Sequence, residues 1–156
     1  MAELVRTMPW SRPAISALQP LLTREWLVTN GLGGYASGTV AGVATRRYHG
    51  LLIAALPAPL GRVMMLNHLS ERIQFPDGTV TRLGGHEHTD RLRMHGAEAL
   101  VEFRLEEGMP VWRFEMGGIV LEKRIELPHQ QNTTHITYRL ISGRGSVRVR
   151  LQPSMN

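Results

Sequence analysis

The sequence contains no cysteine. That absence removes disulfides, thiolate zinc sites and cysteine nucleophiles together, and it fits a reducing cytoplasm, the location expected here. No apolar run approaches the ~20 residues that a membrane-spanning helix needs. The longest, Gly50 to Leu60, holds two prolines and reads as a buried strand. A basic segment followed by an apolar block is missing from the N-terminus, so no secretory signal is expected. No stretch keeps a 3.6-residue apolar period over three turns, which excludes a helical bundle. Lysine is almost absent: of 18 basic residues only Lys123 is lysine.

What is present describes one globular core. A chain of 156 residues with 42% hydrophobic and 20% charged side chains is long and apolar enough to bury one. The net charge is +5, from 18 basic against 13 acidic residues. The arginines stand among acids, Arg104 near Glu102 and Glu106, Arg124 between Glu122 and Glu126. A nucleic-acid footprint would be a concentrated stripe, so neither nucleic acid nor membrane is expected as a partner.

Residues 1–21, with Pro9, Pro13 and Pro20, read as an irregular lead-in with at best a short helix. From residue 22 to 156 strands dominate. Ile119, Leu121, Ile125 and Leu127 alternate with Glu122, Arg124 and Glu126. Ile136, Tyr138 and Leu140 repeat the pattern, and so do Val147, Val149 and Leu151. One apolar and one charged face at period two is what an antiparallel strand packed on one side requires. Gly117-Gly118, Pro128 to Asn132 and Ser142 to Gly145 separate these runs. Ala99–Leu105 and Pro110–Met116 form a hairpin, and Phe75 to Thr79 is a tight turn around Asp77-Gly78. The fold class is therefore an all-β antiparallel sandwich.

Asn30-Gly31-Leu32-Gly33-Gly34 is the densest glycine cluster. Gly31 to Ala36 matches a dinucleotide fingerprint in form, but no helix follows it and no acid occurs between Glu25 and Glu71. A phosphate loop fails for want of Gly-Lys-Ser/Thr, so no nucleotide cofactor is expected. The residue pattern fits glycines at a strand turn, where positive φ or close packing is needed. Arg46-Arg47-Tyr48-His49 precedes the apolar run from Leu51. Set on a strand, Arg46 and Tyr48 face one way and Arg47 and His49 the other. Two readings stand: a solvated strand start paired to an acid such as Glu71, or a donor-rich patch with an aromatic ring that suits sugar hydroxyls and a pyranose face.

These residues carry a resemblance. Glu25 to Thr39, with its Gly-Gly-Tyr, and Thr45 to Leu52 resemble the N-terminal domain of prokaryotic-type glycogen debranching enzymes, the amylo-α-1,6-glucosidase family. Trp112, Lys123-Arg124-Ile125 and Asn132 to Tyr138 also sit where that family's pattern would have them. The resemblance runs from about Leu22 through the rest of the chain. It implies a supersandwich-like domain at 22–156, placed ahead of a catalytic (α/α)6 barrel that the chain does not contain, and ending before its last strands. It also implies that the glycoside hydrolase chemistry of glycogen metabolism belongs to the barrel. The partners implied are that barrel and a branched α-glucan, glycogen or limit dextrin.

The chain alone is expected to be inactive, with no catalytic residue. Two carboxylates must flank a glycosidic bond ~5 to 9 Å apart, whereas acids at i and i+4 of one strand lie ~13 Å apart. Glu71, Glu87 and Asp90 stand in less regular sequence, and nothing singles out a pair. His86 and His88 at i and i+2, with Asp90 and His95 near, have metal-ligand chemistry, but no third ligand stands at a defined spacing and the segment reads as a polar loop; no metal is expected. The candidates facing substrate or barrel are Tyr35, Arg46, Arg47, Tyr48 and His49, with Gly31, Gly33 and Gly34 allowing close backbone approach. The alternative is a stand-alone carbohydrate-binding module, which would expose Trp10, Trp26 or Trp112 as a platform. Trp26 and Trp112 lie in apolar strand patterns and are expected in the core.

Overall fold

The computed structural model describes residues 5–8, 18–88 and 91–155, with side chains described throughout these except at 86–88 and 91–93. Two sheets face each other across one core and curl into a half-barrel sandwich. The first is five-stranded, ordered β1 (Val5–Thr7), β9 (Leu100–Glu106), β10 (Met109–Met116), β11 (Ile119–Glu126) and β12 (His135–Ser142). The second follows the path β2 (Glu25–Thr29), β3 (Tyr35–Thr39), β5 (Gly50–Ala55), β6 (Arg62–Gln74), β7 (Val80–His88) and β4 (Val43–Ala44). β13 (Arg148–Met155) adds to β6, and β8 (Arg91–His95) to β7. Every pair is antiparallel except β4 with β7.

The alternation read from the sequence sets the two faces. In β11 Ile119, Leu121 and Ile125 are buried, while the intervening Glu122 and Arg124 join a ladder of ion pairs on the outer face. Arg104 there meets Glu102, Glu106 and Glu122 at once. The long strand β6 lets the second sheet curl. Its first half pairs with β5 and its second with β7, while β13 runs along it from Leu66 to Gln74.

The core centres on three aromatic rings. Trp112 packs edge-on against Trp26 at 5.5 Å and against Phe103 at 5.3 Å between centroids. The Trp26 indole N–H donates to Thr39 O and that of Trp112 to Val40 O, so burial leaves neither donor unpaired. The expectation that Trp26 and Trp112 are core residues holds; Trp10 lies outside the described residues.

Two parts of the lead-in are regular. Val5–Thr7 pairs with Arg104–Glu106, and a short helix, α1 (Gln19–Thr23), carries Pro20 in its first turn and buries Leu21, whose carbonyl accepts from the Ala41 amide. The strand forms because the outer edge of β9 offers unpaired amides and carbonyls, a tertiary opportunity that local sequence does not carry. At the other side of the sandwich, β12 and β13 each pair with one neighbour among the described residues. Their inward Leu140 and Leu151 are 43% and 44% exposed.

Candidate functional site

The glycine-rich loop joins β2 to β3 and is organised by one side chain. Asn30 is fully buried. Its Oδ1 accepts from the Leu32 and Gly34 amides, each at 3.0 Å. Its Nδ2 donates to Gln131 O at 2.8 Å and to Asn132 Oδ1 at 3.1 Å. Asn132 in turn exchanges two hydrogen bonds with the Ala55 backbone, so three separate segments are tied together. The glycines follow from this crowding. Gly31 has φ +79°, and a Cβ there would lie 2.5 Å from the His129 ring. A Cβ on Gly34 would lie 2.9 Å from Ile53 O. At both positions the approaching groups belong to the chain itself. Gly33 stays on the exposed side, and its carbonyl accepts from Arg62 Nε at 2.8 Å.

Arg46 to His49 is not the strand start expected from sequence. It is a turn, closed by the His49 amide donating to Arg46 O at 3.0 Å, and β5 begins only at Gly50. The reason is that His49 goes inward. It is 2% exposed, and its Nδ1 accepts from the Thr45 amide at 3.2 Å. The lone pair is thus on Nδ1, and the neutral ring carries its hydrogen on Nε2, which lies 3.6 Å from Glu25 Oε1, too far for a hydrogen bond. Arg46 pairs with the same carboxylate. Glu25, not Glu71, is therefore the acid that holds this turn. The Arg46 hydrogen bond keeps the Glu25 carboxyl below its ordinary pKa. Arg47 stands exposed at the turn with no hydrogen bond or ion pair among the described residues, and Tyr48 is 51% exposed.

Burial lowers the His49 pKa below its ordinary value, against the opposing pull of Glu25. A second proton would also sit on Nδ1, facing the Thr45 N–H instead of accepting from it. The unfolded chain takes up this proton near pH 6.5 and the folded chain resists it, so the stability from neutral His49 is full above about 6.5 and is lost below. His49→Asn keeps an acceptor for Thr45 but does not titrate. The melting temperature of the native chain should fall more steeply than that of His49→Asn between about pH 7 and pH 5. Parallel curves would remove His49 from the account.

Beside the turn, the outer face of β2 and β3 forms an open cleft of about 480 Å³. Glu25, Leu27 and Thr29 line it from the edge strand, with Tyr35, Tyr48 and Arg62 opposite. The Tyr35 hydroxyl donates to Tyr48 O at 3.3 Å, and the Arg62 guanidinium lies 5.9 Å from the Tyr35 ring centre. Of the five sequence candidates, Tyr35 and Tyr48 meet at this cleft, Arg46 and His49 lie beside its Glu25, and Arg47 is exposed and not among its lining residues. Glu25, Leu27 and Arg62 were not legible as members. The available signal was Trp26-Leu27-Val28, three consecutive apolar residues in a strand that buries one face, and Leu27 is 62% exposed.

A second polar group, unforeseen from sequence, lies between the sheets. Lys123 Nζ is 2.8 Å from Glu71 Oε1, and the Tyr138 hydroxyl donates to the same oxygen. Glu71 is 3% and Lys123 9% exposed, and the ammonium lies over the Trp112 ring. Burial first, then the Glu71 charge, push the Tyr138 phenol well above its ordinary pKa, so it stays a donor. The signal was in view: Lys123 falls in phase with Leu121 and Ile125. The side chains of His86, Glu87, His88 and Asp90 lie outside the described residues. No helix among the described residues is long and apolar enough to cross a membrane.

A family model described as glycogen debranching enzyme N terminal matches residues 24–156 of the chain. No curated protein and no solved structure matches it.

Proposed function

The chain belongs to the glycogen debranching enzyme N-terminal family, and from that premise we propose that it is a non-catalytic cytoplasmic domain that packs on a catalytic barrel and helps shape its pocket for branched α-glucan. The observation that carries this reading is the Arg46–His49 turn. Arg46 pairs with Glu25 at the surface and His49 is buried on the Thr45 amide, which leaves Arg47 exposed and the half-exposed Tyr48 ring edge-on to His49. A rigid turn that presents an unpaired planar cation beside an aromatic ring is a pre-organised recognition surface. The carboxylates support the non-catalytic role. Glu71, Glu102, Glu106, Glu122 and Glu126 are each paired with a lysine or arginine of the domain itself, so each is committed to a structural ion pair. With Trp26 and Trp112 buried, neither can serve as the platform of a stand-alone sugar-binding module.

The test is made in an enzyme that carries this domain ahead of its barrel. Arg47→Ala should lower kcat/KM on limit dextrin about tenfold, the loss of one charge-assisted contact, with the melting temperature unchanged. Unchanged kinetics would make the turn a solvated corner.

A further inference from the structure

We propose that the cleft between β2 and the Arg46–His49 turn is itself a binding subsite for one glucosyl unit of an α-glucan. This rests on the glucan-enzyme reading above and divides its candidate residues: Leu27, Tyr35, Tyr48 and Arg62 contact sugar, while Arg47 is left for the protein partner.

The floor of the cleft is apolar where a solvent-facing sheet would be polar. Leu27 sits on the outward face of edge strand β2, flanked by Glu25 and Thr29, and across from it Tyr35 and Tyr48 extend the apolar surface. The volume of about 480 Å³ lies in the range of small-ligand sites.

The walls are rigid. Tyr35 is anchored through its hydroxyl to Tyr48 O, which also accepts from Ser37 Oγ at 3.2 Å. Tyr48 stands edge-on to the buried His49 ring at 5.4 Å and 89°. Arg62 is fixed by its Nε on Gly33 O, and its terminal N–H groups have no acceptor among the described residues. The chemistry then selects the ligand. Glu25 and Arg46 neutralise each other at one end, which leaves the Arg62 guanidinium as the charged donor group that faces the cleft. A pyranose offers an apolar C–H face for Leu27 and the tyrosines. It also offers adjacent hydroxyls for the fork of free Arg62 donors.

The experiment titrates the chain with maltoheptaose, using cellohexaose as control, and follows amide shifts by NMR. Saturable binding in the millimolar range is expected, with shifts at Leu27, Tyr35 and Tyr48. Tyr48→Ala and Arg62→Ala should each weaken it about tenfold, and Tyr48→Phe less than about threefold, because the ring and not the hydroxyl meets the sugar. Binding that ignores Tyr48→Ala and Arg62→Ala, or that is equal for cellohexaose, overturns the proposal. No saturation also overturns it. If maltoheptaose stays unbound while Arg47→Ala still lowers turnover, the subsite fails and the domain's role stands. Binding with no effect of Arg47→Ala gives the reverse.

Discussion

Lys123→Met alone is expected to destabilise the domain by about 3–5 kcal/mol, the loss typical when one member of a buried ion pair is removed. Glu71 is buried between the sheets and would be left with only the Tyr138 hydroxyl as a direct donor. Lys123 also covers the Trp112 ring, so its stem packs as well as pairs. The decisive comparison is the double variant Glu71→Leu/Lys123→Met, with Tyr138→Phe added so that no phenol is left without its acceptor. Replacing the whole group by apolar side chains of similar size should bring stability back to within about 1 kcal/mol of the native chain, or above it. Urea unfolding measures both, read as a shift of midpoint at constant slope. A single variant that costs less than about 1 kcal/mol would mean the pair is solvated and weak.

Asn30→Asp should be nearly as costly although it changes one atom. The shape is kept and Oδ1 can still accept from Leu32 and Gly34. The second carboxylate oxygen, however, replaces an N–H that donates to Gln131 O and Asn132 Oδ1. A buried charge then faces two acceptors, at a cost of about 3–5 kcal/mol. The sign with pH is distinctive. The folded state disfavours that charge, raising the carboxyl's pKa above the unfolded value near 3.9, so the lost stability returns as pH falls and the group is protonated. Unfolding of Asn30→Asp at about pH 7 and about pH 4 checks this, with the native chain alongside. The amides of Leu32 and Gly34 should shift with it. Loss of order here would also release Gly33, whose carbonyl fixes Arg62 at the cleft.

The same two groups mark what was readable before folding. Alternation over Ile119–Leu127, Ile136–Leu140 and Val147–Leu151 declared one buried and one charged face. Together with the turns between them it was enough for an antiparallel sandwich. The same period put Lys123 on the buried face, where a cation needs a partner, though it could not name Glu71 fifty-two residues earlier (123 − 71 = 52). Local pattern determines which side of a strand a residue faces. It carries no information on which strand lies opposite.

By itself, then, the sequence determined the fold class, the two core tryptophans and the family, because each depends on short-range period or on contiguous motifs such as Gly33-Gly34-Tyr35 and Arg46-Arg47-Tyr48-His49. Tertiary structure alone decided how those motifs are used. Gly31 is crowded by His129, Asn30 reaches Asn132, and Arg46 finds Glu25 on a different strand. It also turned Arg46–His49 out of the strand, since the turn buries the His49 ring where its Nδ1 accepts from the Thr45 amide. These are contacts between segments far apart in the chain, and their energies come from desolvation and hydrogen-bond geometry that exist only once the sheets have closed.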